Sequence, residues 1–485
     1  MPLNKNIYIV LGPLFFIVLH LFGPPASMSN DAYSLILIII WMGVWWITEA
    51  IPIAVTSLLP LVLFPLTGIV DLSSTAASYG HKIIFLFIGG FILALAIEKW
   101  KLHKRIALYI IMVIGNDISK IILGFMLATA FLSMWISNTA TTVMMLPIGL
   151  SIITQLNDNP NTKKNENKLF GKALMLSIAF SASIGGVATL IGTPPNLIFA
   201  SFIQESYGVE ISFLQWMKFG LPISILLLFI AWLYLTKIAF KFNNKEFTLG
   251  KQEIAIQLKN LGPIKLEEKL VLILFGLTIF CWITRSFLLN IYIPEIDDTI
   301  IAIASAILLF IIPSSKKGQK LISWEDAVKL PWGILLLFGG GLAIASGFKT
   351  TGLADWIGNQ LTLIDALSLF FIIFLIVTIV NFLTEITSNL ATTAMLLPIM
   401  APIALSLNIN PYMLMVSTTV AASCAFMLPV ATAPNALVFG SGYLKIPDMI
   451  KAGIWMNLIS IIIITIMVYF LLPYMWDFNI FNYER

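Results

Sequence analysis

Four stretches of this chain place polar oxygen and amide groups inside otherwise apolar sequence. Two are Ser137-Asn138-Thr139-Ala140-Thr141-Thr142 and Ser388-Asn389-Leu390-Ala391-Thr392-Thr393. The other two set a helix-breaking run beside an amide: Gly192-Thr193-Pro194-Pro195-Asn196 and Thr432-Ala433-Pro434-Asn435. Proline removes a backbone donor and clashes with the preceding turn, and glycine admits dihedrals that other residues avoid. Such a break frees carbonyl oxygens for a hard cation, by extension of the preference of such ions for oxygen ligands. It also offers helix N-termini to an anion. Catalytic groups are missing from this picture. No nucleophile accompanies a base, and there is no phosphate-binding glycine loop and no HExxH. His20, His81 and His103 are scattered, while Cys281 and Cys424 sit in apolar segments and imply neither a metal cluster nor a disulfide framework.

The four stretches are two pairs. Ser137 to Ile148 aligns with Ser388 to Ile399, with nine of 12 positions identical at an offset of 251. Upstream, Phe85 to Gly90 pairs with Leu335 to Gly340 at an offset of 250. Downstream, Ala188 to Leu197 pairs with Met427 to Ala436 at an offset of 239. Three paired landmarks in one order mark a duplication. A lone Ser or Thr in a membrane helix usually bonds its own backbone or a neighbouring helix, and a lone Pro is often a kink. Recurrence of the whole set is what distinguishes a site from that background.

The elements that position these residues must lie in a membrane. Of 485 residues, 59% are hydrophobic and 11% charged, with a mean hydropathy of +0.96. Soluble domains carry about 25% charged residues. Apolar blocks such as Ile7 to Phe22, Leu35 to Ile47, Leu221 to Tyr234 and Ile454 to Leu472 approach the roughly 20 residues of a spanning helix. The first block ends at Gly23-Pro24-Pro25 without a cleavage pattern, so it reads as a retained helix. Lysines and arginines cluster at Lys99 to Arg105, Lys163 to Lys172, Lys237 to Lys269, Lys316 to Lys329, and Lys445 with Lys451. The opposite side receives only Lys82, Lys218, Arg285, Lys349 and Arg485 of the 28 basic residues. This bias predicts a cytoplasmic N-terminus and an external C-terminus. The net charge of +4 thus reports topology and not nucleic-acid binding.

The expected fold is an all-α polytopic membrane protein of about 11 crossings plus two re-entrant hairpins, because neither arm of each Ser-Asn motif has room for a full crossing. Residues 1–80 form N-terminal scaffold helices, and 81–240 form the first repeat, with its hairpin tip at 137–142. A polar, lysine-rich cytoplasmic linker occupies 241–269, and 270–485 form the second half, with its tip at 387–393. The topology inverts one copy relative to the other, an arrangement common in secondary transporters. Lys101 to Gly115 suits a helix on the cytoplasmic surface, and Lys349 to Leu363 would be its external counterpart.

In this order and spacing, the two Ser-Asn motifs, each followed by Ala-Thr-Thr and Leu-Pro-Ile, and the two Pro-Asn breaks resemble the divalent anion/sodium symporter family. That family includes the INDY-type dicarboxylate transporters and sodium-coupled sulfate transporters. The resemblance spans nearly the whole chain. It implies a sodium-coupled symporter of small divalent anions, C4 dicarboxylates such as succinate before the alternative of sulfate or a tricarboxylate, in a bacterial plasma membrane, embedded in lipid. It also implies a dimerising scaffold and an elevator-like transport domain. It places one sodium near Ser133, Ser137, Asn138 and Gly192, and a second near Thr384, Thr387, Asn389 and Ala431. Substrate carboxylates would meet Asn138, Thr139, Thr193, Ser388, Asn389 and Thr432. Leu390 stands where the pattern has a Thr hydroxyl, and Ala433 where it often has Pro.

Two intramembrane acids stand apart. Glu49 and Glu385 lie in apolar surroundings, where acids are rare and often functional. For Glu385 the residues fit two roles equally: polarising a sodium site or relaying a proton, and pinning a helix by hydrogen bonds. A cation/proton antiporter would centre its site on such an acid, whereas both tips hold amides and hydroxyls. No Lys, Arg or His lies at either tip, so a bound dianion needs co-bound cations and helix N-termini to offset its charge.

Overall fold

The computed structural model describes residues 5–25, 27–114, 117–157, 164–242, 248–360 and 367–481. Among them the regular elements are all helices and no sheet forms. Among the described residues, eight helices are long and apolar enough to cross a membrane, and six shorter apolar helices accompany them. Helices close every backbone hydrogen bond within one segment, which is the solution an apolar solvent demands.

Each Ser-Asn motif begins a helix that follows another after a short turn. In the first half Ile118–Ser133 gives way to Asn138–Asn157; in the second, Leu369–Leu383 gives way to Asn389–Ser406. Residues 137 and 388 therefore lie just before the second arm, and 138–142 and 389–393 form its first turn. The two Pro-Asn runs break helices as expected. Lys164–Val187 resumes as Pro194–Tyr207, and Pro411–Ala422 resumes as Ala433–Gly440. Pro194 and Pro434 sit in the first turns of the resumed helices, where a missing N–H costs nothing.

The two halves interlock around these elements. Helix Pro194–Tyr207 of the first half packs on Asn389–Ser406 of the second, and Ala433–Gly440 of the second packs on Asn138–Asn157 and Lys164–Val187 of the first. Phe180 and Phe426 meet edge to face at 5.1 Å between ring centroids. A second group of helices packs together beside them: Asn30–Thr48, Leu59–Thr67 and Trp332–Thr351, and separately Lys82–Lys99 with Leu266–Thr284 and Asp298–Ile311.

Three features refine the sequence reading. Glu49 is exposed and caps the helix Asn30–Thr48 in the left-handed region at φ 47°, so it marks a helix end and not a buried acid. Residues 241–269 hold a helix, Thr248–Asn260, that docks on Leu102–Ile114 and Asn138–Asn157, where Glu253 accepts from the Ser151 hydroxyl at 2.7 Å. The surface helix Leu102–Ile114 exposes Lys104 but buries Arg105 against Glu268 at 2.5 Å. A buried cation held by a carboxylate and by the Gly262 carbonyl ties this helix to the end of the linker. The matching stretch of the second half ends its long helix at Thr351, turns at Gly352 and resumes as Leu353–Gln360; positions 361–363 lie outside the described residues, as does Arg485.

Candidate functional site

At the first tip, the fully buried Ser133 hydroxyl lies 2.6 Å from Asn138 Oδ1 and 2.7 Å from the Ala182 carbonyl oxygen. Asn138 in turn faces the break. A Cβ added at Gly186 would come within 2.6 Å of Asn138 Oδ1 and 3.2 Å of the Gly192 carbonyl oxygen. Ser133, Asn138, Ala182 and Gly192 thus bring hydroxyl, amide and carbonyl oxygens together at one point. Only glycine at 186 and 192 lets the backbone approach this closely, since a Cβ at Gly192 would stand 2.5 Å from the Gly186 oxygen.

The second tip repeats the arrangement. Thr384 Oγ1 lies 2.8 Å from Asn389 Oδ1 and 2.9 Å from the Ala422 carbonyl oxygen, and its side chain is fully buried. Thr142 and Thr393 each donate to the carbonyl of the Asn four residues earlier, both at 2.8 Å. The hydroxyl–amide pair is therefore the common unit of the two halves. Its donors are neutral hard oxygens, the chemistry that suits an alkali cation.

Not every expected ligand joins these clusters. Thr387 Oγ1 is taken by the Leu383 carbonyl and Thr392 Oγ1, within its own hairpin. Ser137 Oγ accepts from the Ala140 N–H at 3.3 Å and caps the second arm. Thr432 caps the resumed helix by accepting from Asn435 N at 3.2 Å, whereas Thr193, almost wholly buried, makes no such cap bond. Ala431 is buried beside Thr432 in the second break. Ser137 and Thr139 line a cavity of about 780 Å³ that extends to Glu98, His103, Lys104 and Lys329. Ser388, Asn389, Leu390 and Thr432 are half-buried and lie outside that lining. Burial holds the His103 imidazole below its usual range, Lys104 and Lys101 add to this, and the Ile97 carbonyl opposes it.

The sequence motifs contain two anchors to which no role was assigned. Asn196 Nδ2 donates to the Gly186 and Thr189 carbonyls at 3.1 and 2.7 Å; Asn435 Nδ2 donates to Ala425 and Leu428 at 3.3 and 3.0 Å. These partners are related by the same offset of 239 as the asparagines, a signal available in the duplication itself. Each amide clips the frayed end of its broken helix. The supporting contacts of Thr189, Asn381 and Asn457 carry no such signal.

Glu385 resolves in favour of pinning. Its buried carboxylate accepts from the backbone N–H groups of Phe426, Met427 and Leu428 at 2.8, 2.9 and 2.9 Å, and from Asn457 Nδ2 at 2.8 Å. Three of these donors crowd Oε1 and one bonds Oε2, so the carboxylate is committed to the backbone of the second break and to Asn457. Buried basic side chains lie elsewhere: Arg105 pairs with Glu268, and Arg285 pairs with Glu210 and Asp298. No Lys or Arg pairs with the tips among the described residues.

Paired helical hairpins lying against paired broken helices, with oxygen clusters at both junctions, define a polytopic membrane transporter. Residues 3–476 match the family model described as the sodium:sulfate symporter transmembrane region, and the chain belongs to that family, the divalent anion/sodium symporters. A protein of Staphylococcus saprophyticus named sodium-dependent dicarboxylate transporter SdcS is 48% identical over 471 residues, covering 96% of this chain and 91% of the relative. Its namesake in Staphylococcus aureus strain USA300 is 47% identical over 476 residues, covering 97% and 92%. Two solved structures share the fold. MtrF of Neisseria gonorrhoeae, from a class of antimetabolite efflux pumps, aligns with a TM-score of 0.57 at 12% identity, covering 94% of this chain and 98% of its own. The YdaH transporter of Alcanivorax borkumensis aligns with a TM-score of 0.57 at 15% identity, covering 85% and 89%.

Proposed function

We propose that this protein couples the inward movement of sodium to the uptake of a small dicarboxylate, with succinate as the representative substrate. The observation that carries the reading is the paired hydroxyl–amide unit, Ser133 with Asn138 and Thr384 with Asn389, each set against a broken helix. One sodium sits at Ser133, Ser137, Asn138 and Gly192, and the other at Thr384, Thr387, Asn389 and Ala431. For Ser137 and Thr387 this requires the backbone carbonyl or a rotated hydroxyl, since both hydroxyls are engaged locally. The dianion meets Asn138, Thr139, Thr193, Ser388, Asn389 and Thr432. The helices beginning at Asn138, Pro194, Asn389 and Ala433 present their N-termini to it. With no fixed cation at the tips, sodium supplies the compensating charge, and this makes transport depend on it.

Leu390 favours a carbon skeleton over sulfate. It offers apolar surface where Thr139 offers a hydroxyl, and sulfate has no apolar part to bury. The cavity running from Ser137 and Thr139 to Lys104 and Lys329 leads to the lysine-rich side and is the substrate's route to the cytoplasm. Eleven crossings with two re-entrant hairpins, a cytoplasmic N-terminus, an external C-terminus, a scaffold dimer and an elevator-like movement of the hairpin-bearing domain complete the proposal. The test is uptake of labelled succinate by the purified protein in liposomes. An inward sodium gradient drives accumulation, potassium or choline does not, and excess unlabelled dicarboxylate competes more strongly than sulfate. Equal uptake in potassium, or stronger competition by sulfate, overturns the proposal.

A further inference from the structure

A groove of about 610 Å³ on the lysine-rich side takes no part in the site above. Its walls are the helix Lys164–Val187, the Tyr234–Ala239 continuation of the helix Phe213–Leu233, and the helix Ile446–Ile466. Tyr234–Ala239 is a π-helix. It leaves Lys237, Ile238 and Ala239 exposed in succession, and such widened turns recur at functional sites. Ile238 and Trp455 are 68% and 57% exposed. Trp455, Ile459 and Ile462 follow one face of their helix at spacings of four and three, so the apolar floor continues onto a surface that faces the bilayer.

The rim is charged. Lys172 and Lys451 line it, and Lys168 lies within Coulombic range of Asp448. Asp448 is occupied by the protein. One oxygen lies 2.5 Å from Lys172 Nζ, and the other accepts from Lys445 N at 3.1 Å. Three lysines against one carboxylate leave the rim positive, and Lys168 and Lys451 project into solvent.

We infer that this groove binds one anionic phospholipid, with its phosphate at Lys451 and Lys168 and its acyl chains along Ile238, Trp455 and Ile459. Charge complementarity selects an anion, and the exposed apolar floor selects one that carries hydrocarbon. A soluble phosphate gains nothing from that floor. The lysine bias assigns this side to the cytoplasm, the leaflet whose anionic lipids attract basic segments. Lipid bound here would brace the first broken helix against Ile446–Ile466, at the end opposite its break.

The test is native mass spectrometry of the full-length protein released from detergent in the presence of phosphatidylglycerol or phosphatidylcholine with identical acyl chains. One phosphatidylglycerol per chain is retained about thirtyfold more strongly than phosphatidylcholine, the preference expected from two lysines at an anionic surface. The double substitution Lys168→Gln, Lys451→Gln brings retention down to the phosphatidylcholine level while leaving the melting profile in detergent unchanged. Lys172 is left intact because it holds Asp448. Equal retention of the two lipids, or undiminished phosphatidylglycerol on the double variant, overturns the inference. So does displacement of the lipid by millimolar inorganic phosphate, which would make the rim a site for soluble anions.

Discussion

The two hairpins are copies in sequence, yet each is held against its broken helix by different means. In the first half Ala130 meets Gly185, where a Cβ would fall 2.3 Å from the Ala130 oxygen. The corresponding residues of the second half are Asn381 and Cys424, and there Asn381 Nδ2 donates to the Cys424 carbonyl at 2.6 Å. At the next turn the Thr189 hydroxyl donates to the Met134 carbonyl at 2.5 Å. Met134 aligns with Glu385, whose side chain gathers three backbone N–H groups of the second break. The first junction is closed by backbones packed through glycine and by the Thr189 hydroxyl, the second by the Asn381 amide and the Glu385 carboxylate. What both keep is the hydroxyl–amide pair at the tip. Duplication has preserved the oxygen geometry that the proposed cations would use and has let its supports diverge, the pattern expected if the supports are structural and the shared unit serves the proposed site.

The largest break in this comparison comes from removing the acid. Glu385→Ala leaves the Met427 and Leu428 N–H groups and the Asn457 amide without their acceptor, at about 1–3 kcal/mol for each buried group left unsatisfied. Thr189→Val in the first half removes the hydroxyl that bonds Met134 and accepts from Gly192, and costs about 1–3 kcal/mol. Melting in detergent ranks the two. Glu385→Gln keeps the shape of the side chain and leaves the pH profile of uptake unchanged, whereas a proton-relay role would shift it.

A smaller effect sharpens the same contrast. Gly185→Ala forces two helices apart and costs about 1–3 kcal/mol by overpacking. Asn381→Ala loses a similar amount, about 1–3 kcal/mol, for a different reason, because the Cys424 carbonyl goes unsatisfied. The divergence predicts that Gly185→Ala and Asn381→Ala have nearly additive effects, since they act in separate junctions. Strong non-additivity in melting would show that the junctions are coupled directly.

Much of this was legible because a duplication compares a sequence with itself. The offsets of 251 and 239 located both tips and both breaks, and helix breaking by Gly192, Pro194 and Pro434 follows from local chemistry. Partner choice was not legible. Nothing in the residues around Thr387 shows that its hydroxyl turns to Thr392, or that Asn457, 72 positions away, completes the shell of Glu385. Hydrophobic periodicity describes one helix at a time, and these bonds depend on which helices meet. Glu49 misled for a related reason. An acid near apolar residues reads as buried unless the left-handed turn that ends its helix is seen.

A further expected effect concerns the one polar difference within the aligned Ser-Asn motifs. Leu390→Thr restores a hydroxyl in the second motif. A hydrogen bond to a charged group contributes about 1.5–3 kcal/mol, so the apparent dicarboxylate affinity tightens about tenfold or more. Sodium dependence persists, because Asn389 and Thr384 are untouched. Unchanged affinity in a well-folded variant would mean that position 390 faces away from the substrate.

The shared hydroxyl–amide unit is the central claim, and sodium titration of succinate uptake in proteoliposomes tests it most directly. Wild-type uptake requires sodium and rises more steeply than a single-ion curve, because each half contributes one cation. Asn138→Ala and Asn389→Ala each reduce uptake to background while keeping the wild-type elution and melting behaviour. Sodium-independent uptake by the wild type, or near-normal uptake by either folded variant, would contradict the account.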